Sequence, residues 1–232
     1  MPHAGNGASR PGLWVGARQT TLGYLAIAIA VAACGPPADD SNAPADPSRA
    51  IVRRLGLHGE PVPAAARRPD FVLTDTEGRS FDFRRDTEGR LTLLFFGYTN
   101  CPDICPVHLA NLSAVLDMAP PDLRSQVRVV FVGVDAGRDT PERVREWLSH
   151  FDPSFVGLTG TQEQLDAAQV AAGVPPAFVD DEWEGGYSVG HAAWIALFTA
   201  DDRAQLRYPF GIRQSEWAHD LEILVERGWP DA

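Results

Sequence analysis

The stretch that most constrains this chain is FFGYTNCPDICPVHL, Phe95 to Leu109. An apolar run, Leu91 to Phe96, stops at Gly97, turns through Tyr98, Thr99 and Asn100, and enters a helix with Cys101 and Cys105 on its first turn. A run without alternation is what a strand buried on both faces requires. On one helix, two cysteines four residues apart project from the same face with Cβ atoms roughly 5–6 Å apart. A helix N-terminus adds free N–H groups and partial positive charge, which favour thiolate over thiol. A pair so placed can close a disulfide, exchange electrons or clamp a soft metal ion. The spacing alone leaves all three open, since Cα atoms about 6 Å apart also satisfy disulfide geometry.

Around this stretch the chain lays out one α/β domain. Phe71 to Leu73 and Ser80 to Phe83 flank a polar turn at Gly78 and predict a β-hairpin. Val127 to Val134 is a second buried strand, reached through the cysteine helix, whose stripe is Leu109, Leu112, Val115 and Leu116. Such a crossover makes the two strands parallel. Asp139-Thr140-Pro141-Glu142 opens a helix to about His150, with Asp139 or Thr140 as cap and Pro141 in the first turn. Leu158 to Gly160 ends a short strand, and Thr161 opens a helix that stops near Gly173. FVDDEWEGGYSVG reads as a polar loop leading to His191. Ala193 to Thr199 and Gln205 to Tyr208 form an antiparallel hairpin about Asp201-Asp202, and Gln214 to Glu226 is an amphipathic helix. This order predicts a thioredoxin-like α/β fold: a central mixed β-sheet flanked by helices, with an added N-terminal β-hairpin. Fold alone does not choose between reductase, peroxidase and metal carrier.

The N-terminus bears on where the cysteines work. Arg10 and Arg18 precede an uncharged run, Leu22 to Ala33, which is too short to span a bilayer but suits the core of a signal peptide. It ends in Val31-Ala32-Ala33-Cys34-Gly35, a pattern that resembles a bacterial lipobox with Cys34 as the lipidated residue. An ordinary cleaved signal or an uncleaved anchor would also fit the run. The expected organisation is a lipoprotein signal peptide over 1–33, a Pro/Ala/Asp-rich tether over 34–69 and the folded domain over 70–232. The chain is then anchored by lipid at the extracytoplasmic, periplasmic face of a bacterial membrane. Of the three cysteines, lipidation takes Cys34 and leaves Cys101 and Cys105 as the thiols in an oxidising compartment. A net charge of -11 argues against a nucleic-acid partner, which calls for a basic face.

Cys101 and Cys105 need a third donor if they are to hold a metal, and the candidate is His191. It follows a glycine-containing loop and precedes a strand, which allows its side chain to sit at the sheet edge near the cysteine turn. A core or surface role is the alternative for a lone histidine. His108 is a neighbour of the pair, while His3, His58, His150 and His219 fall in the leader, the tether or near surface helices.

The segments FFGYTNCPDICP, VDAGRDTPERV, FDPSFVGLTGT and SVGHAAWIALF are similar, in order and spacing, to the Sco/SenC family of copper-binding, thioredoxin-like proteins. The resemblance runs from roughly Phe71 to Gly211. It implies that Cys101, Cys105 and His191 bind one copper ion. It further implies delivery of copper to the CuA site of cytochrome c oxidase subunit II, reduction of the cysteines of that site, or service to another extracytoplasmic copper protein. Two thiolates and an imidazole suit Cu(I), and Cu(II) is held if a further weak ligand completes the site. Two positions depart from the family pattern: Gly190 stands where many members carry an acidic residue, and Ala136 replaces a proline after Asp135. The leading expectation is therefore a metallochaperone rather than an enzyme. The alternative is an extracytoplasmic thiol–disulfide oxidoreductase that uses the Cys101/Cys105 dithiol without metal.

Overall fold

The computed structural model of the chain describes residues 47–62, 67–202 and 205–230. The stretch expected as a signal peptide, Cys34 and the first part of the expected tether lie outside them. The described residues open with helix α1 (Pro47–Leu55) and a two-residue strand β1 (Glu60–Pro61), then the hairpin β2 (Val72–Asp75) and β3 (Ser80–Asp82) and the one-turn helix α2 (Phe83–Asp86). Strand β4 (Leu91–Gly97), helices α3 (Ile104–Met118) and α4 (Pro121–Gln126), and strand β5 (Val127–Gly133) follow. Next come α5 (Pro141–Leu148), β6 (Val156–Thr159) and α6 (Gln162–Ala171), then a second hairpin, β7 (Phe178–Trp183) and β8 (Gly186–Gly190). Strands β9 (Trp194–Phe198) and β10 (Gln205–Pro209) and helix α7 (Gln214–Arg227) complete the described fold. Among the described residues, no helix is long and apolar enough to cross a membrane.

The main sheet has eight strands in the order β1-β10-β9-β4-β5-β6-β2-β3, and β7-β8 forms a separate two-stranded sheet. Strands β4, β5 and β6 are parallel, whereas β9 pairs antiparallel with β4 on its other side. Every residue of β4 is buried, as its uninterrupted apolar run requires. The β4–α3–β5 crossover and the β9–β10–α7 unit form the thioredoxin-like core, with α3 and α7 packed together. This topology decides where chemistry can sit. The chain leaves β4 and β5 at the end of the sheet where it enters β9, since Leu94 of β4 pairs with Ala196 of β9.

Four expectations need correcting. The described residues already form a helix over Pro47–Leu55, within the stretch assigned to the tether and ahead of the expected domain start at about residue 70. Ile51 and Leu57 are buried, β1 pairs with β10, and Arg68 is only 2% exposed. Composition hid this because the apolar face is short: Ile51 is buried, Val52 and Leu55 pack against the core beside it, and the flanking residues are polar or proline-rich. Second, Cys101 precedes helix α3 instead of lying on its first turn. Pro102 and Asp103 intervene, and Asp103 has φ -139° and ψ -76°, outside the helical region. Cys105 and Pro106 do fall in the first turn, where a missing N–H costs no intrahelical bond. Third, FVDDEWEGGYSVG is a hairpin and not a loop. All six residues of β7 are exposed, so the segment lacks the apolar alternation of a half-buried strand, and Gly185 turns it at φ 91°. Fourth, α4 was not anticipated, and it begins with Pro121 at its first position. The β2–β3 hairpin, the parallel β4–β5 pair and the start of α6 at Thr161 agree with the sequence reading.

Arg68 deserves a place in the architecture because it joins three separate segments. Its guanidinium donates to Thr87 Oγ1 and Thr87 O, to Thr92 Oγ1, to Arg90 O and to Thr199 O at 2.7–3.0 Å. Burial lowers its pKa, and the acceptors around it compensate for the lost water.

Candidate metal centre

The site is built at the end of β4. Gly97 is the last residue of that strand, and a Cβ added there would lie 2.9 Å from Cys105 Sγ and 2.9 Å from the Phe131 ring. Only glycine lets the sulfur lie against the strand terminus. The turn after Gly97 closes when Cys101 N donates to Tyr98 O at 3.1 Å. Cys105 N, in the first turn of α3, then donates to Cys101 Sγ at 3.4 Å. The helix thus offers an otherwise unpaired N–H to the sulfur, although Cys101 itself stands outside the helix. Cys105 is fully buried, Cys101 is partly exposed, and both are free thiols.

His191 arrives from the other direction, immediately after β8. Its Nε2 lies 3.5 Å from Cys105 Sγ, and its Nδ1 lies 3.0 Å from Ala192 O. A carbonyl only accepts, so Nδ1 carries the proton and Nε2 presents its lone pair toward the sulfurs. Phe95 and Tyr98 hold the imidazole edge-to-face, with centroids at 6.0 and 5.5 Å. Donor atoms of Cys101, Cys105 and His191 all lie within 4.8 Å of one another. The three residues singled out from the sequence are therefore brought together.

The two thiols divide their protons unequally. The Cys105 side chain, hydrogen-bonded to Cys101, is the main influence that draws the Cys101 thiol down to about 3, with the backbone N–H groups of Cys105 and Asp103 assisting against burial. Burial pushes the Cys105 thiol up, and its hydrogen bond to Cys101 reinforces this. The metal-free pair consequently holds a thiolate on Cys101 and a proton on Cys105.

One loop, Asp135 to Asp139, braces both sides of the cluster. Asp139 is buried and accepts from Thr99 N at 3.0 Å, Thr99 Oγ1 at 2.7 Å and Asp135 N at 3.2 Å. Thr99 lies two residues before Cys101, so this carboxylate fixes the cysteine turn. Burial raises the Asp139 pKa against the lowering effect of those hydrogen bonds. On the other side, Tyr187 Oη donates to Asp135 at 2.8 Å, and Arg138 donates to Asp135 and to Tyr187 O. The Arg138 guanidinium carbon lies 3.6 Å from the centre of the Tyr187 ring. Tyr187 belongs to β8, the strand that delivers His191. The sequence reading missed Thr99, Asp135, Arg138, Asp139 and Tyr187 as supports. The sequence reading took Arg138-Asp139-Thr140-Pro141 as a helix start and as part of the family resemblance, without a supporting role, and Thr140 takes the capping role by accepting from Arg143 N.

Gly190 also has a local reason. A Cβ there would meet the Phe178 ring at 2.6 Å, so any side chain, acidic or not, would have to displace that ring. His108 stays outside the donor cluster. It is buried between Phe95 and Phe210, its Nε2 lies 3.4 Å from Ala193 O, and burial lowers its pKa. His150 Nδ1 faces Trp147 O, while His58 and His219 meet at Asp220, away from the cysteines in the sequence and on other elements.

The SCO1/SenC family profile matches residues 60–226. A putative copper-binding protein of Stutzerimonas stutzeri is 38% identical over 145 residues, which cover 61% of this chain and 69% of the relative. The structure of Bradyrhizobium japonicum ScoI with copper bound is 33% identical, with a TM-score of 0.59 over 68% of this chain and 98% of that one. The apo Sco1 protein of Thermus thermophilus is 30% identical, with a TM-score of 0.64 over 72% of this chain and 96% of its own.

Proposed function

The chain belongs to the SCO1/SenC family, and from that premise we propose that it is a copper metallochaperone that carries one ion on Cys101, Cys105 and His191. The observation that supports this most directly is the convergence of two sulfurs and one imidazole lone pair within 4.8 Å. This donor set fits copper: soft thiolates select Cu(I), and three donors meet its preference for low coordination number. Zinc also accepts sulfur and nitrogen, but it normally requires a fourth ligand. Copper is cargo on this reading, supplied to the CuA site of cytochrome c oxidase subunit II or to another extracytoplasmic copper protein. Lipidation at Cys34 would hold the domain at the outer face of the cell membrane.

The residues also predict how loading responds to pH. Ligation needs both sulfurs deprotonated. Cys101 is already a thiolate, so the proton released is mainly that of Cys105, and loading weakens as pH falls. Anaerobic titration of the reduced protein with Cu(I) tests the reading. One equivalent should bind, and His191→Ala should weaken affinity by more than about tenfold, since loss of a support to a ligand alone costs ~10–100-fold. Unchanged affinity in His191→Ala overturns the assignment.

A second reading rests on the unequal thiols. The Cys101 thiolate can attack a substrate disulfide, and Cys105 can resolve the mixed disulfide, so that the substrate leaves reduced and the pair is oxidised. Thiol–disulfide turnover that survives His191→Ala but not either cysteine substitution would favour this alternative.

A further inference from the structure

A second group of donors lies where the N-terminal segment meets α7. Asp220 is fully buried on that helix, and its two oxygens face different partners. Oδ2 accepts from His58 N at 2.8 Å, Gly59 N at 3.1 Å and Tyr208 Oη at 2.8 Å. Oδ1 faces two imidazoles, His58 Nδ1 at 2.8 Å and His219 Nδ1 at 3.0 Å. The rings are nearly perpendicular, with an interplanar angle of 85° and centroids 5.2 Å apart, so they approach one oxygen from two directions. Their side chains remain 36% and 43% exposed.

We infer that His58, His219 and Asp220 form a second metal site, for a divalent ion that takes nitrogen and oxygen ligands, Zn2+ or Cu2+. The donor atoms lie within 4.8 Å of one another. Metal–ligand bonds of ~2.0–2.1 Å at tetrahedral angles separate donors by about 3.3 Å. The two Nδ1–Oδ1 contacts, at 2.8 and 3.0 Å, need to open by a few tenths of an ångström, and the two Nδ1 atoms, within 4.8 Å of each other, come to the same separation through rotation of exposed rings. The three hydrogen bonds on Oδ2 orient the carboxylate, as supports do around metal ligands. In the metal-free state each ring donates its Nδ1 proton to Oδ1. On binding, each neutral imidazole takes the Nε2–H tautomer, which exposed rings can reach through water. Exposure of both rings leaves a coordination position to solvent. Two imidazoles and a carboxylate suit borderline divalent ions, in contrast to the sulfur-rich cluster at the end of β4. An ion here would join the segment after α1 to α7.

The test uses the full chain carrying Cys101→Ser and Cys105→Ser, which removes the sulfur donors and makes the outcome independent of the proposed function. Zn2+, and separately Cu2+, should bind at one equivalent, with coupling from two nitrogens in the Cu2+ paramagnetic resonance spectrum. Zn2+ should also raise the thermal midpoint. His58→Gln and His219→Gln, both at exposed positions, should each weaken affinity about tenfold or more. In the chain with its cysteines intact, the same two substitutions should lower Zn2+ stoichiometry by one equivalent, which covers the case of a cysteine-free chain that folds poorly. Absence of binding, or binding unchanged by both histidine substitutions, overturns the inference.

Discussion

Cys101 is partly exposed with its thiol drawn down to about 3, whereas Cys105 lies fully buried and keeps its proton. The cysteine spacing was legible in the sequence, but this division was not. It depends on Cys101 leaving the helix at Pro102 and receiving the N–H of Cys105 from outside, a placement set by local backbone angles rather than residue spacing. In the reduced, metal-free protein, alkylation should therefore occur at Cys101 first. Its rate should be nearly flat from pH 8 to about 4 and fall only as pH drops through about 3, because the folded pKa lies below that of an ordinary thiol. Cys105→Ala removes the largest contributor to that lowering, so the same profile should move to higher pH. Mass spectrometry of quenched reactions reads both. His191 was a candidate from its loop-to-strand setting and from the family resemblance, and the antiparallel return of β9 beside β4 is one part of what brings it to the pair.

Among the elements, the β7–β8 hairpin and the Asp135–Asp139 loop set the position of His191. The hairpin was illegible because its outward-facing strand carries no apolar rhythm, although Gly185-Gly186 marks its turn. The loop's role was illegible because its contacts reach Thr99 and Tyr187, 40 and 52 residues away from their carboxylate partners in the chain. Tyr187→Phe removes the hydroxyl that ties the hairpin to Asp135 and leaves the ring in place. Global stability should fall by only about 1 kcal/mol. Amide exchange over 178–190 should quicken, and copper affinity should weaken about tenfold. Hydrogen-exchange mass spectrometry together with a competition titration checks the separation; loss of stability without any effect on copper would show that the hairpin does not position His191.

For the whole molecule, the central strands and the last hairpin were legible because continuous apolar runs and turn residues mark them. The N-terminal edge was not, because its apolar face is short and the rest of its anchoring is long-range: β1 pairs with β10, and Arg68 reaches residues far along the chain. Arg68 shows why: a charged residue beside a proline-rich stretch reads as surface, yet it is buried among Thr87, Thr92, Arg90 and Thr199. Arg68→Met leaves those acceptors without their donor and should cost about 3 kcal/mol or more. Arg68→Lys should recover little, since an ammonium lacks the planar fork that reaches several acceptors. Urea denaturation should show a lower midpoint with an unchanged slope. A midpoint shift of less than the equivalent of about 1 kcal/mol would mean that water replaces the guanidinium at these acceptors.

The unequal depth of the two sulfurs gives the cluster a front and a back. Cys101 and His191 are partly open to solvent, and Cys105 lies behind them against Gly97. An incoming thiolate or imidazole from another protein meets the front donors first. On the proposed reading, cargo is then exchanged one bond at a time in a fixed order, and the bond to Cys105 is the last to break. The direction of approach is thus set by the missing side chain at the end of one strand.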